Sequence, residues 1–251
     1  MTMLRKAPPI TGAERPRRWR ALVLGGLIAA TIAAIVALSL ACVEFYRREQ
    51  RVRLFPTYPV PAPVARTPQR TLVLFLGDSR MQEWPDLPRD RFVTVNAGGG
   101  NETTAQILLR AAATLDAVHP ERVIVQAGVN DLKAIGALPD LARDIEARCL
   151  ANLSSLVELC RQRGARVLLV PILPTAEPSL VRRVVWSSEI DAARQRVNTA
   201  LRRRFEAVAD VALLDAHILR PDDADYRDTL HFTPAAYVKL ETAALEALRR
   251  L

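Results

Sequence analysis

From residue 71 onward the sequence repeats one arrangement: a short apolar run ends at a turn former and is followed by an amphipathic stretch of helix length. Strands that are apolar almost throughout are buried on both faces, and strands alternating with helices pair in parallel. Residues 72–76, 92–96, 123–126, 167–170 and 211–214 read as strands, and residues 104–118, 138–163, 190–209 and 234–251 carry the 3.6-residue helical period. The pattern predicts an α/β fold, a three-layer α/β/α sandwich around a five-stranded parallel sheet. In such sheets ligands gather at the C-terminal ends of the strands.

The preceding chain is of another kind. Residues 21–43 contain no charge; as a helix they would extend about 35 Å, enough for the roughly 30 Å hydrocarbon core of a bilayer. A cleavable signal has an apolar core of only about 7–15 residues, so an uncleaved signal anchor is the expected reading. Ser39-Leu40-Ala41 keeps cleavage before Cys42 open, whereas the Ser-Leu order argues against a lipoprotein. Residues 1–20 are expected to be a basic, disordered terminus and residues 44–70 a proline-rich spacer. Its prolines at 56, 59, 61, 63 and 68 suggest extended chain, up to about 50 Å at roughly 3.1 Å per residue. Six basic residues precede the apolar run and four follow within ten residues, a bias that orients the N-terminus to the cytoplasm. The globular part is then extracytoplasmic, or periplasmic behind a bacterial inner membrane.

Charge divides along the same boundary. The chain's net charge is +8, yet residues 1–70 hold twelve Lys+Arg against three Asp+Glu, and residues 71–251 hold twenty-three against twenty-four. The near-neutral second part offers no basic face for nucleic acid. Three cysteines make no disulfide framework, and Cys149 and Cys160 on one helix would stand about 16 Å apart. No cofactor and no metal site are expected.

Three stretches at strand ends and one in the loop before the last helix carry chemistry. Gly77-Asp78-Ser79-Arg80 ends the first strand and presents a hydroxyl, although such tripeptides are also ordinary turns. Residues 96–104, with Gly98, Gly99 and Gly100 in a row, bring backbone N–H groups close to a ligand or simply form a loose connection. Asn130, in Gly128-Val-Asn130-Asp131, has a side-chain amide able to donate to an oxyanion, or makes an Asn-Asp turn. In Asp228-Thr-Leu-His231, a carboxylate three residues away can hold one imidazole nitrogen while the other faces outward as a base. His217, two residues after Asp215, is the competing base, and His119 reads as a helix-end cap. No Gly-x-Gly-x-x-Gly spacing occurs, so no dinucleotide fingerprint is present.

Taken together, in this order and in these places, the four stretches resemble the SGNH (GDSL-type) serine hydrolase superfamily over residues 71–251. The resemblance implies a flavodoxin-like sandwich in which Ser79 is the nucleophile, His231 the base and Asp228 the group that orients it. It implies an oxyanion hole from the Ser79 N–H, the Gly100 or Asn101 N–H and the Asn130 side chain, with Asp78 and Asp131 fixing turns. Two positions depart from the pattern. Arg80 replaces the Leu of the family name and is expected at the mouth of the site, and Asn101 falls where relatives often have the donor glycine. Between the fourth strand and the next helix, residues 171–189 hold Arg182, Arg183 and Trp186. Trp186 is either a sugar-stacking residue or a packed loop aromatic.

The expected activity is hydrolysis of short acyl esters, O-acetyl above all, on an envelope or exported polysaccharide. O-acyl transfer to a glycan by the same triad is the alternative within enzymes, since relatives include such transferases. A non-catalytic envelope protein that binds a glycan or partner is the alternative outside them.

Overall fold

The computed structural model describes residues 14–54, 58–65, 67–220 and 224–251, with side chains from residue 19 on except 51, 53 and 54. It divides into two compact units, Met1–Pro56 and Thr57–Leu251.

Among its described residues the first unit is a single helix, α1 (Glu14–Leu54). Its stretch Trp19–Gln50 is long and apolar enough to cross a membrane, with an 18-residue window of mean hydropathy 2.6 that is not buried in the protein; a signal sequence has the same character. Of the N-terminus expected to be disordered, residues 1–13 lie outside the described residues and 14–20 are helical. The spacer expected from residue 44 begins later, because the helix continues through residues 44–54. Nothing there breaks it: Glu44 and Arg48 make an i,i+4 ion pair of 3.0 Å on an arginine-rich turn, and the first proline is Pro56.

In the second unit β1 (Thr71–Gly77), β2 (Phe92–Gly98), β3 (Arg122–Gln126), β4 (Arg166–Leu169) and β5 (Val211–Leu213) form one parallel sheet in the order β2-β1-β3-β4-β5. This is the flavodoxin-like order, with a switch point beside β1. The helices are α2 (Ser79–Gln82), α3 (Thr104–Val118), α4 (Val129–Leu132), α5 (Ala142–Gln162), α6 (Glu189–Phe205) and α7 (Pro234–Arg250). Side chains alternate across a strand, and β1 shows the result. Leu72, Leu74 and Leu76 join α3, α5 and α6 in one core cluster, while Val73 and Phe75 join α7 in the other. Residues 73–76 are fully buried, each worth about 1.5–3 kcal/mol relative to exposure.

The segment expected as free spacer is partly docked. The Tyr58 N–H donates to Glu102 Oε1 (3.1 Å), its hydroxyl donates to Gly100 O (3.2 Å), and Val64 packs on the core. The helix expected over 138–163 divides into a short 3-10 turn, Pro139–Leu141, and α5. Cys149 and Cys160 lie buried and free in α5.

Candidate active site

The apolar run of β1 stops at Gly77, where the backbone crosses so close to β3 that a Cβ would overlap Gln126 O. Asp78 follows as the N-cap of α2, its carboxylate accepting from the Arg80 N–H at 2.9 Å. Ser79 is therefore the first residue of a short helix set at the end of a central strand.

Opposite it, residues 225–233 form a tight hairpin. Tyr226 and Phe232 bridge antiparallel, the Arg227 N–H donates to His231 O (3.0 Å) and the Thr233 N–H to Asp225 O (3.0 Å). The buried Tyr226 and Phe232 rings stack edge to face at 5.2 Å. At the tip, Asp228 Oδ2 lies 2.8 Å from His231 Nδ1, and His231 Nε2 lies 3.2 Å from Ser79 Oγ. With Nδ1–H donating to the carboxylate, Nε2 is the nitrogen left to accept the serine proton. Burial alone would raise the Asp228 carboxyl. The backbone N–H groups of His231 and Leu230 and the imidazole outweigh it and bring it down to about 2.

The glycine-rich turn forms the other wall. Asn101 adopts a left-handed backbone (φ 62°), a geometry asparagine tolerates. The Gly99 N–H donates to Gly77 O, while among the described residues the Gly100 and Asn101 N–H groups have no acceptor. Asn130 is buried, at the start of α4. Its Nδ2 donates to Glu102 O (2.9 Å), and its Oδ1 accepts from Lys133 Nζ (2.6 Å). The lysine thereby fixes which way the amide faces, and Nδ2 keeps one further hydrogen. Asp131 binds the start of α3 through the Thr104 N–H (2.9 Å) and hydroxyl (2.6 Å). Burial raises its carboxyl despite those bonds. Asp78 is pushed up to about 6 by burial, which the Arg80 guanidinium and N–H offset only in part.

Arg80 does not line the mouth of the site. It is 1% exposed and donates from Nε to Leu230 O (2.8 Å), from Nη1 to Leu173 O (3.0 Å) and from Nη2 to Pro174 O (3.0 Å). Its guanidinium lies 4.5 Å from the Phe232 ring centre, a cation–π contact. The residue after Ser79 thus holds the loop carrying Asp228 and His231. Trp186 packs against the core and borders a surface cavity of about 660 Å³ with Arg194, His217 and Arg220. His217 is tied by its N–H to Asp215 Oδ1 (2.9 Å), and it is His231 that reaches Ser79. His119 caps α3 in a left-handed conformation.

Sequence reasoning missed three groups. Lys133 carries no motif signal. Glu102 and Arg110 make a buried ion pair beneath the glycine-rich turn, with Arg110 Nη2 also donating to Ala97 O (2.7 Å). Tyr58 lay in the supposed spacer. Among the described residues no cluster of His, Cys, Asp and Glu has the makings of a metal site.

Residues 46–239 match the family model described as GDSL-like lipase/acylhydrolase. Several solved structures share the fold. A GDSL-like lipase from Bacteroides thetaiotaomicron is 20% identical, with a TM-score of 0.58 over 74% of this chain and 92% of that one. The M. smegmatis aryl esterase is 21% identical, with a TM-score of 0.57 over 72% and 99%. A catalytic mutant of an acetylxylan esterase from Geobacillus stearothermophilus is 18% identical, with a TM-score of 0.52 over 71% and 94%. A search of curated proteins finds no match.

Proposed function

The chain belongs to the GDSL-like lipase/acylhydrolase family, whose chemistry is cleavage of ester bonds, and from that premise we propose that it is a serine esterase using Ser79, His231 and Asp228. The observation that carries this reading is the unbroken line from Ser79 Oγ through His231 to Asp228, at 3.2 and 2.8 Å. Ser79 Oγ attacks the ester carbonyl while His231 Nε2 takes its proton, and the carbonyl oxygen becomes an oxyanion. His231 then gives the proton to the departing alcohol, leaving an acyl-serine. Water, deprotonated by the same nitrogen, releases the acid and restores Ser79. Asp228, held anionic, keeps the imidazole in the required tautomer and stabilises the imidazolium.

The Ser79 N–H, the unengaged N–H of Gly100 or Asn101 and the remaining Asn130 amide hydrogen would receive the oxyanion. Donors of this kind are each worth about 3–4 kcal/mol. No cofactor enters this chemistry. The substrate we favour is a short acyl ester on an envelope glycan, a reading supported by the acetylxylan esterase among the structural neighbours. The same reading makes α1 a signal anchor with the domain extracytoplasmic. Six basic residues ahead of the apolar run against four just after it support that orientation, and labelling of an engineered cysteine from the outside of intact cells tests it.

Turnover of p-nitrophenyl acetate and of acetylated polysaccharide, with Ser79→Ala and His231→Ala beside the parent, tests the esterase. Activity lost in both variants is the expected result. Acyl groups recovered on a glycan acceptor rather than as free acid would reassign the reaction as transfer. No turnover and no labelling of Ser79 would leave a binding protein.

A further inference from the structure

The loop between β4 and α6 is unusually apolar for a surface segment. Leu180, Val181, Val184 and Val185 are 79, 83, 86 and 48% exposed. Among the described residues of the second unit, four of the ten large apolar side chains that face solvent thus fall within six consecutive positions. Scattered exposed apolar residues need no explanation, whereas a contiguous group marks an interaction surface. The same stretch, residues 178–188, holds Arg182 and Arg183 and no acid. Among the described residues Arg182 makes no ion pair, and the Arg183 side chain donates only to Pro178 O (3.2 Å).

This loop is built into the rim of the site. At one end the Ala176 N–H donates to Thr229 O (3.0 Å), and the Thr229 hydroxyl donates to Glu177 O (3.4 Å), within the Asp228–His231 turn. At the other end Gly136, three residues past Lys133, lies so close to Val185 that a Cβ would overlap the Val185 carbonyl oxygen. Arg182 is near enough to Lys133 to oppose its charge. The loop therefore joins the histidine wall to the Asn130–Lys133 wall, with its apolar tip outward.

We propose that residues 180–185 dock on an anionic lipid bilayer, with Leu180, Val181 and Val184 entering the headgroup–acyl boundary and Arg182 and Arg183 on lipid phosphates. Apolar side chains interleaved with arginine suit that boundary, because the apolar groups leave water while the guanidinium groups stay at the charged surface. A purely apolar partner face would leave the two arginines without a role. A bilayer is also the surface for which the apolar stretch Trp19–Gln50 of the same chain is suited. On the esterase reading proposed above, docking would bring the candidate site to acyl esters carried at the membrane surface.

The test uses the full chain in vesicles with Cys42→Ser, since Cys149 and Cys160 are buried. A nitrobenzoxadiazole probe is placed at Val184→Cys, and at Leu109→Cys as an exposed apolar control on α3. In phosphatidylglycerol vesicles the probe at 184 shifts to the blue and brightens, the probe at 109 does not, and neutral phosphatidylcholine gives a much smaller shift. Arg182→Gln and Arg183→Gln each weaken docking about fivefold. A water-like spectrum at 184 in anionic vesicles, or equal shifts in neutral ones, overturns the proposal. A second arm compares esters. Val181→Ser with Val184→Ser lowers turnover of a bilayer-embedded ester about tenfold and leaves p-nitrophenyl acetate unchanged; equal loss on both, or on neither, counts against docking. Failure of the parent on p-nitrophenyl acetate would instead overturn the esterase reading, with the probe arm still reporting on docking.

Discussion

The two walls of the candidate site are both held by a buried arginine, and they use it in different ways. Beneath the glycine-rich wall Arg110 meets a carboxylate, Glu102, and both are nearly inaccessible. Beneath the histidine wall Arg80 meets three carbonyl oxygens and an aromatic face, with no carboxylate bonded to its guanidinium. A buried ion pair has one opposite charge on which it depends, whereas the Arg80 guanidinium is shared among three carbonyls on two loops. The first arrangement fixes one turn firmly. The second ties residues 79, 173–174 and 230 to one another, so that nucleophile and base move together.

The largest expected effect follows from the wall held by the buried ion pair. Glu102→Ala strands Arg110 in the core and releases the Tyr58 N–H, and it should cost about 3–5 kcal/mol of stability, read by chemical denaturation. A cost below about 1 kcal/mol would show that the pair is not the wall's support. Asn130→Ala separates holding from chemistry on the same side. It should lower kcat about 10²–10³-fold, or roughly 3–4 kcal/mol, with KM little altered. A change in KM alone would remove Asn130 from the oxyanion hole.

On the other wall Arg80→Lys keeps the charge but loses the planar fork. The expected loss is about 1–3 kcal/mol of stability for carbonyls left unpaired, with kcat down about tenfold and KM unchanged because His231 is less well placed relative to Ser79. An unaltered kcat in the folded variant would reduce Arg80 to a packing role. The smallest effect is electrostatic. The folded-state carboxyl of Asp228 lies at about 2, below its unfolded value, so its contribution is present above about pH 4 and lost as pH falls through 2. Asp228 is half exposed and solvent screens it, leaving under about 1 kcal/mol. Asp78, raised to about 6, has the opposite sign: its contribution to stability falls as pH rises from about 4 to 6. Acid titration of stability in Asp78→Asn and Asp228→Asn should therefore remove slopes of opposite sign.

The difference between the walls also explains what could be read from the sequence. Strand runs such as 72–76 announce themselves because burial on both faces demands apolar residues in succession. Ser79 and Asn130 stand out because each is a reactive type just past the end of such a run, and Asp228 and His231 because a carboxylate and an imidazole three residues apart precede the Thr233-Pro234 start of the last helix. The expectation of Arg80 at the mouth of the site fails because its partners lie 93 to 150 residues away, and a lone arginine on a turn resembles a solvated one. Glu102 and Arg110 are eight residues apart across a helix start, a separation with no local signature. The continuation of α1 through residues 44–54 was hidden by taking the end of the apolar run for the end of the helix.

The proposed chemistry depends most directly on Ser79 as the nucleophile. Treating the folded full chain with a fluorophosphonate and locating the adduct by mass spectrometry tests this in one step. A covalent phosphonyl group on Ser79, absent in Ser79→Ala and strongly slowed in His231→Ala, is the predicted result. Folded protein that turns over an ester while Ser79 stays unmodified would contradict it.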